Sequence, residues 1–212
     1  MIVRVKLCGL TRLEDVLLGV ELGVDAFGFN FVEDSPRRIT PAQARDLCAA
    51  VPPFTSRVGV FADQLPRVME ATALLAGLTC LQLHGDEPPE SCRSIALPWY
   101  KAHRVGPDFV PESVSRYRSS TCLLDAHVPG RKGGTGTTFD WTVARLTSAY
   151  ARVIVAGGLT PVNVGDAIAA ARPYGIDVSS GVESAPGKKD RRLLSAFMKR
   201  VREAAMNVEE NG

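Results

Sequence analysis

The sequence predicts an α/β chain folded as a single (β/α)8 TIM barrel, on three observations. Eight short runs rich in apolar and β-branched residues recur along the chain, and a helical pattern follows them at the ~30-residue scale of a strand-helix-strand unit. Eight such units in 212 residues fit a closed barrel better than an open sheet, although a doubly wound sheet satisfies the periodicity alone.

The runs occupy residues 2–8, 25–31, 57–61, 80–84, 99–103, 122–125, 153–156 and 176–179. Several are nearly unbroken, as at Val153-Ile154-Val155, the pattern of parallel strands covered on both faces. Helix starts lie between them. Thr11 with Glu14 and Thr40 with Gln43 have capping-box spacing, in which the hydroxyl and the acid or amide satisfy backbone donors reciprocally. Pro41 and Pro161 suit a first helical position, where no amide donor is needed. From about Asp190, Leu194, Phe197, Met198 and Val201 form one apolar stripe suited to core packing. The fifth unit is weaker, because Gly106, Pro107 and Pro111 leave room only for a short helix over 112–117.

Composition narrows the function classes. With 45% hydrophobic and 23% charged residues and no Pro- or Gly/Ser-rich linker, residues 1–212 are expected to form one domain. The net charge is +2 and the 25 basic residues are scattered, so no nucleic-acid partner is expected. Cys8, Cys48, Cys80, Cys92 and Cys122 are widely spaced without CxxC pairing, which indicates reduced thiols rather than a disulfide framework or a zinc site. Arg4 and Lys6 interrupt the first apolar stretch, and no run is long enough to cross a bilayer. A cytoplasmic protein without a membrane partner is expected.

If the barrel closes, its chemistry belongs at the C-terminal ends of the strands. The first run ends Lys6-Leu7-Cys8-Gly9, and alternation puts Lys6 and Cys8 on one face, interior if Val5 and Leu7 face the helices. A cation one strand step away favours the thiolate, so Cys8 is a candidate base; a small buried hydrophobe is the alternative. The sixth run ends in Asp125, a carboxyl at the mouth of an apolar segment and a candidate general acid, or else a turn-capping residue. The turns at Gly157-Gly158 and Ser180-Gly181 follow the last two strands, where glycine lets backbone N–H groups approach a phosphate. The run Gly133-Gly134-Thr135-Gly136 lacks the Gly-Lys-Ser/Thr ending of a nucleotide loop and reads as a mobile active-site loop. Arg37, after Ser35-Pro36, can hold a carboxylate in a two-pronged grip or stand solvated. His84 ends the fourth run as a substrate contact or a turn-stabilising ring. With only His103 and His127 besides, no histidine cluster is present to bind a metal.

Taken together, these strand ends resemble the phosphoribosylanthranilate isomerase family from Val5 to about Asp190. The matching stretches include VKLCGLTRLEDV at 5–16, DAFGFNF and SPRRI within 25–39, RVGVF at 57–61, LQLHGDE at 81–87 and LLD at 123–125. They continue with GGTGTTFDW at 133–141, AGGLTPVNV at 156–164 and DVSSGVESAPGKKD at 177–190. Each is short; their order and spacing together are specific. Asn30, Val32-Glu33-Asp34 and Thr137 depart from the family pattern.

The resemblance implies an Amadori rearrangement of N-(5-phosphoribosyl)anthranilate to 1-(2-carboxyphenylamino)-1-deoxyribulose 5-phosphate in tryptophan biosynthesis. It implies Cys8 as general base, Asp125 as general acid and Arg37 as the clamp on the anthranilate carboxylate. Gly157, Gly158, Ser180 and Gly181 would hold the phosphate, with His84 and Asp177 as further substrate contacts. Neither metal nor organic cofactor is required, the partner is a small phosphosugar, and the chain is a monomer or a homodimer. Two rivals remain from the sequence: a bifunctional sugar isomerase that also serves histidine biosynthesis, against which Cys8 argues, and a non-catalytic phosphosugar-binding barrel. A pentose-phosphate epimerase would want metal-binding histidines that three isolated histidines cannot supply.

Overall fold

The structure, a computed structural model, describes residues 1–126 and 138–210. The Gly133–Gly136 run, His127 and Thr137 lie outside the described residues. Eight parallel strands close a barrel in chain order: β1 (Arg4–Cys8), β2 (Ala26–Asn30), β3 (Ser56–Phe61), β4 (Cys80–Leu83), β5 (Trp99–Val105), β6 (Thr121–Ala126), β7 (Arg152–Val155) and β8 (Gly175–Val178). Pairing of β1 with β8, with Lys6 opposite Asp177, completes the ring. A two-stranded hairpin of β9 (Glu183–Ala185) and β10 (Lys188–Lys189) follows β8. Each expected run lies within two residues of a strand, and closure removes the open-sheet alternative.

Side chains alternate between two cores. Leu7, Phe27, Leu81, Leu124 and Ile176 are fully buried on the outer face, beneath the helices α1 (Leu13–Glu21), α2 (Pro41–Cys48), α3 (Pro66–Ala76), α4 (Thr142–Thr147), α5 (Val164–Ala171) and α6 (Arg191–Glu210). Val58, Tyr100, Ala102, Leu123 and Ala156 form a smaller cluster of their own, the inward positions of a ring too narrow for more than one layer of side chains at each level. The stripe Leu194, Phe197, Met198 and Val201 on α6 is buried as its spacing predicts. Asp190 starts that helix by accepting from the amides of Arg192 and Leu193 at 2.8 and 3.0 Å. Among the described residues no helix is long and apolar enough to cross a membrane.

Helix starts meet the expectations unevenly. Thr40 and Gln43 form the capping box, with Pro41 opening α2. The Thr11 and Glu14 box does not form: Arg12 precedes α1 without a side-chain cap, and Thr11 Oγ1 instead donates to the Gly187 carbonyl at 2.6 Å, a tertiary partner no local pattern reveals. Pro161 stands in a turn three residues ahead of α5 rather than at its first position, because Asn163 folds back to accept from the Thr160 amide at 2.8 Å.

Two crossovers carry only 3-10 turns, Ser91–Ser94 after β4 and Pro111–Tyr117 after β5. The second matches the expected short helix. The first was expected to be a helix, and Pro88, Pro89 and Pro98 explain its shortness by removing amide donors and restricting the residues before them. A buried ion pair stands near the gap: Lys101 Nζ lies 3.2 Å from Glu87 and donates to the carbonyls of Leu83, Gly85 and Ala102 at 3.2, 2.8 and 2.8 Å.

Phe197→Ala removes the largest buried side chain of the α6 stripe. A loss of about 3–5 kcal/mol is expected, read as a lower denaturant midpoint at unchanged slope.

Candidate active site at the mouth of the barrel

Residues two apart on a strand share a face. Leu123 packs in the inner cluster, so Asp125 projects into the same interior one level higher, and Cys8 stands above Lys6 in the same way. On the shorter path around the ring only β7 and β8 separate the strand bearing Asp125 from the strand bearing Cys8.

Lys6 is not free to act on Cys8 alone. Its ammonium pairs with Asp177 at 2.9 Å, both side chains being almost fully buried, and Asp177 Oδ1 has no hydrogen-bond partner among the described residues. Burial works against the Lys6 charge, but Asp177, Cys8 and Tyr100 together hold it firmly protonated. At Cys8, burial is the largest influence and pushes the thiol up, the Asp177 charge adds to it, and the opposing pull of Lys6 and Lys189 does not cancel them. Lys6 still favours the thiolate as expected, but burial first and the Asp177 carboxylate second outweigh it.

Asp125 lies at the end of a polar chain the sequence did not reveal. Tyr100 donates its hydroxyl to Gln82 Oε1 at 3.0 Å, and Gln82 Nε2 lies 2.7 Å from His84 Nδ1. Since an amide nitrogen only donates, His84 Nδ1 accepts, which leaves the ring proton on Nε2, 3.4 Å from Asp125 Oδ2. His84 thus belongs to the same cluster as Asp125. Gln82 and Tyr100 read as ordinary strand residues because the bond that joins them crosses from β4 to β5.

The two glycine turns meet backbone to backbone. Gly157 and Gly158 both adopt left-handed φ, +83° and +61°, backbone that glycine takes without strain. A Cβ on Gly181 would sit 1.8 Å from the Leu159 carbonyl oxygen, so the turn after β8 packs directly against the turn after β7. Ser180 and Gly181 open the 3-10 turn Ser180–Val182, while Asn163 Nδ2 braces the first turn by donating to the Gly158 carbonyl at 2.9 Å.

Arg37 is held at the mouth by a loop that closes on itself. Asn30 Oδ1 accepts from the Val32 amide at 2.8 Å and its carbonyl from the Ile39 amide at 3.0 Å, so the departure at Asn30 shapes this loop. The two-pronged grip of Arg37 falls on Glu183, with Nε 2.9 and 3.1 Å and Nη2 2.5 Å from its carboxylate oxygens. Glu183 also accepts from Lys189 Nζ at 2.8 Å. Glu183 and Lys189 fall within a matching stretch, but nothing in their local pattern indicates that they meet Arg37.

Gly157→Ala tests the coupling of the first turn to Asp125. The added methyl would lie 2.6 Å from Asp125 Oδ1 and 2.7 Å from the Ala126 amide, at a φ that alanine resists. A loss of roughly 1–3 kcal/mol is expected from the strain, read as a lower denaturant midpoint with the secondary structure retained by circular dichroism.

Residues 5–200 match the family of N-(5'-phosphoribosyl)anthranilate (PRA) isomerase. The chain is 46% identical over 200 residues to the N-(5'-phosphoribosyl)anthranilate isomerase of Geobacter sulfurreducens, covering 94% of this chain and 98% of that one. It superposes on the crystal structure of the phosphoribosyl anthranilate isomerase of Thermotoga maritima with a TM-score of 0.89 at 42% identity, over 95% of this chain and 100% of that one. A phosphoribosyl anthranilate isomerase in complex with reduced 1-(o-carboxyphenylamino)-1-deoxyribulose 5-phosphate gives a TM-score of 0.85 at 41% identity, over 95% and 100%. Agreement of sequence and barrel across nearly the whole length means that the chain belongs to the N-(5'-phosphoribosyl)anthranilate isomerase family.

Proposed function

We propose that residues 1–212 act as one domain that catalyses the Amadori rearrangement of N-(5-phosphoribosyl)anthranilate, with Cys8 as general base and Asp125 as general acid. One observation carries the reading. The strands bearing Cys8 and Asp125 are separated by β7 and β8, whose glycine turns abut each other, so a phosphate held there stands between acid and base. Membership of the family and the ligand-bound relative support the substrate class.

In this mechanism Asp125 protonates the ribose ring oxygen and the ring opens to a Schiff base. The cationic nitrogen acidifies the C2 proton, Cys8 removes it, and the enolamine tautomerises to the ketone. The substrate is its own electron sink, so neither metal nor organic cofactor takes part. Gly157, Gly158, Ser180 and Gly181 hold the phosphate and Arg37 the anthranilate carboxylate, two remote handles that orient the sugar. The unpartnered Asp177 Oδ1 accepts from a sugar hydroxyl, and His84 contacts the substrate beside Asp125. A cytoplasmic site of action, a small phosphosugar as partner without nucleic acid or membrane, and a monomer or homodimer complete the reading.

Freshly generated phosphoribosylanthranilate is fluorescent, and its signal is expected to decay with purified protein; saturation without decay would indicate a binder instead. Cys8→Ala and Asp125→Ala are each expected to lower kcat by ~100- to ~10,000-fold with folding intact, and an unchanged kcat removes that residue from the mechanism.

The pH profile follows from the Cys8 environment. The base acts deprotonated, and burial with the Asp177 charge pushes its thiol up, so kcat/KM of the free protein should still be climbing above the roughly 8.5 of an ordinary thiol. In Cys8→Asp the ascending limb is expected to move to lower pH, because a carboxyl ionises well below a thiol in the same surroundings. A limb complete below neutrality in the unsubstituted protein would exclude the thiol as its origin.

A further inference from the structure

The Arg37 to Glu183 contact joins the loop after β2 to the hairpin β9–β10, parts of the chain 146 residues apart. The hairpin is itself pinned to the segment after β1. Thr11 Oγ1 donates to the Gly187 carbonyl at 2.6 Å, and the Lys189 amide donates to Asp15 at 3.1 Å. Lys189 is fully buried, and its ammonium meets three acceptors, one for each N–H: the Cys8 carbonyl at 2.5 Å, the Ser179 carbonyl at 3.2 Å and Glu183 at 2.8 Å. The Arg37 stem lies over the turn that follows Cys8, its Cδ 2.3 Å from where a Cβ on Gly9 would sit.

We propose that Glu183 is the positioning residue for Arg37, setting the guanidinium so that its remaining edge meets the carboxylate of the substrate, with Lys189 tying that setting to the backbone of Cys8. The proposal rests on the reading of Arg37 given above. Glu183 occupies Nε and Nη2, and Nη1 makes no hydrogen bond among the described residues. A planar guanidinium gripped along one edge is fixed in plane, so the direction of its free N–H groups is fixed as well. Charge agrees with this use. A lone Arg37 and Glu183 pair would be neutral, but Lys189 adds a second cation, so the cluster keeps one net positive charge to attract an anion. Glu183 suits the role because, although burial pushes its carboxyl up, the hydrogen bonds and charges of Arg37 and Lys189 hold it below the usual carboxylate range.

The test compares two substrates, N-(5-phosphoribosyl)anthranilate and the corresponding phosphoribosyl aniline, which lacks the ring carboxylate. In Glu183→Gln, kcat/KM for the anthranilate substrate is expected to fall about 10-fold more than for the aniline, mostly through KM. In an Arg37→Ala background the same substitution should change the ratio of the two by less than about twofold, since the partner it positions is gone. Glu183→Asp keeps a charge for Lys189 but is one methylene short of Arg37. It is expected to show the selective loss with little change in melting temperature, which keeps the test open should Glu183→Gln not fold. Equal losses on both substrates, or an undiminished effect in the Arg37→Ala background, would overturn the role of Glu183 alone. No turnover of the anthranilate substrate by the unsubstituted protein would overturn both this role and the proposed function.

Discussion

A closed ring of parallel strands admits side chains to its interior only at alternate positions, and the geometry of this protein follows from that restriction. Cys8 reaches the mouth because Lys6 occupies the level below it, and Asp125 because Leu123 does the same on β6. The inner cluster of Val58, Tyr100, Ala102, Leu123 and Ala156 fills part of the barrel, so polar groups above it stand on a packed floor rather than in a water-filled channel. Rigidity of that floor gives the polar side chains defined positions without a ligand.

Charge inside the barrel wall is handled by matching. Lys6, Lys101 and Lys189 are all buried, and each faces one carboxylate: Asp177, Glu87 and Glu183. Buried pairs of this kind contribute little net stability, because desolvation offsets most of their attraction, but removing one member leaves an unmatched charge and is costly. Two of the three, Lys6 and Lys189, stand near Cys8, but their pull on the thiol is outweighed by burial and by the Asp177 charge, so burial decides its state. The third stands beside crossovers that contain no α-helix, its cation also bonded to three carbonyls.

Much of the fold is legible along the chain. Apolar runs marked all eight strands to within two residues, and the stripe on α6 and the capping box at Thr40 formed as written. Those features depend on residues a few positions apart, which sequence spacing encodes directly. The failure at Thr11 has the opposite property, whereas the one at Pro161 is local. Thr11 abandons its local cap for Gly187, 176 positions away, and Pro161 is displaced by a side-chain turn at Asn163.

The candidate site divides along the same line. Strand ends, glycine turns and the chemical types of Cys8, Asp125, Arg37 and His84 were determined by sequence alone, since a barrel presents whatever ends its strands. Only the tertiary structure decided which groups meet. It directed Lys6 to Asp177, so that the cation expected to activate Cys8 is matched elsewhere, and gave the grip of Arg37 to Glu183. It also threaded Tyr100 and Gln82 into a chain ending at Asp125. Electrostatic partners and hydrogen-bond direction depend on distances across the ring, and those distances exist only once the barrel has closed.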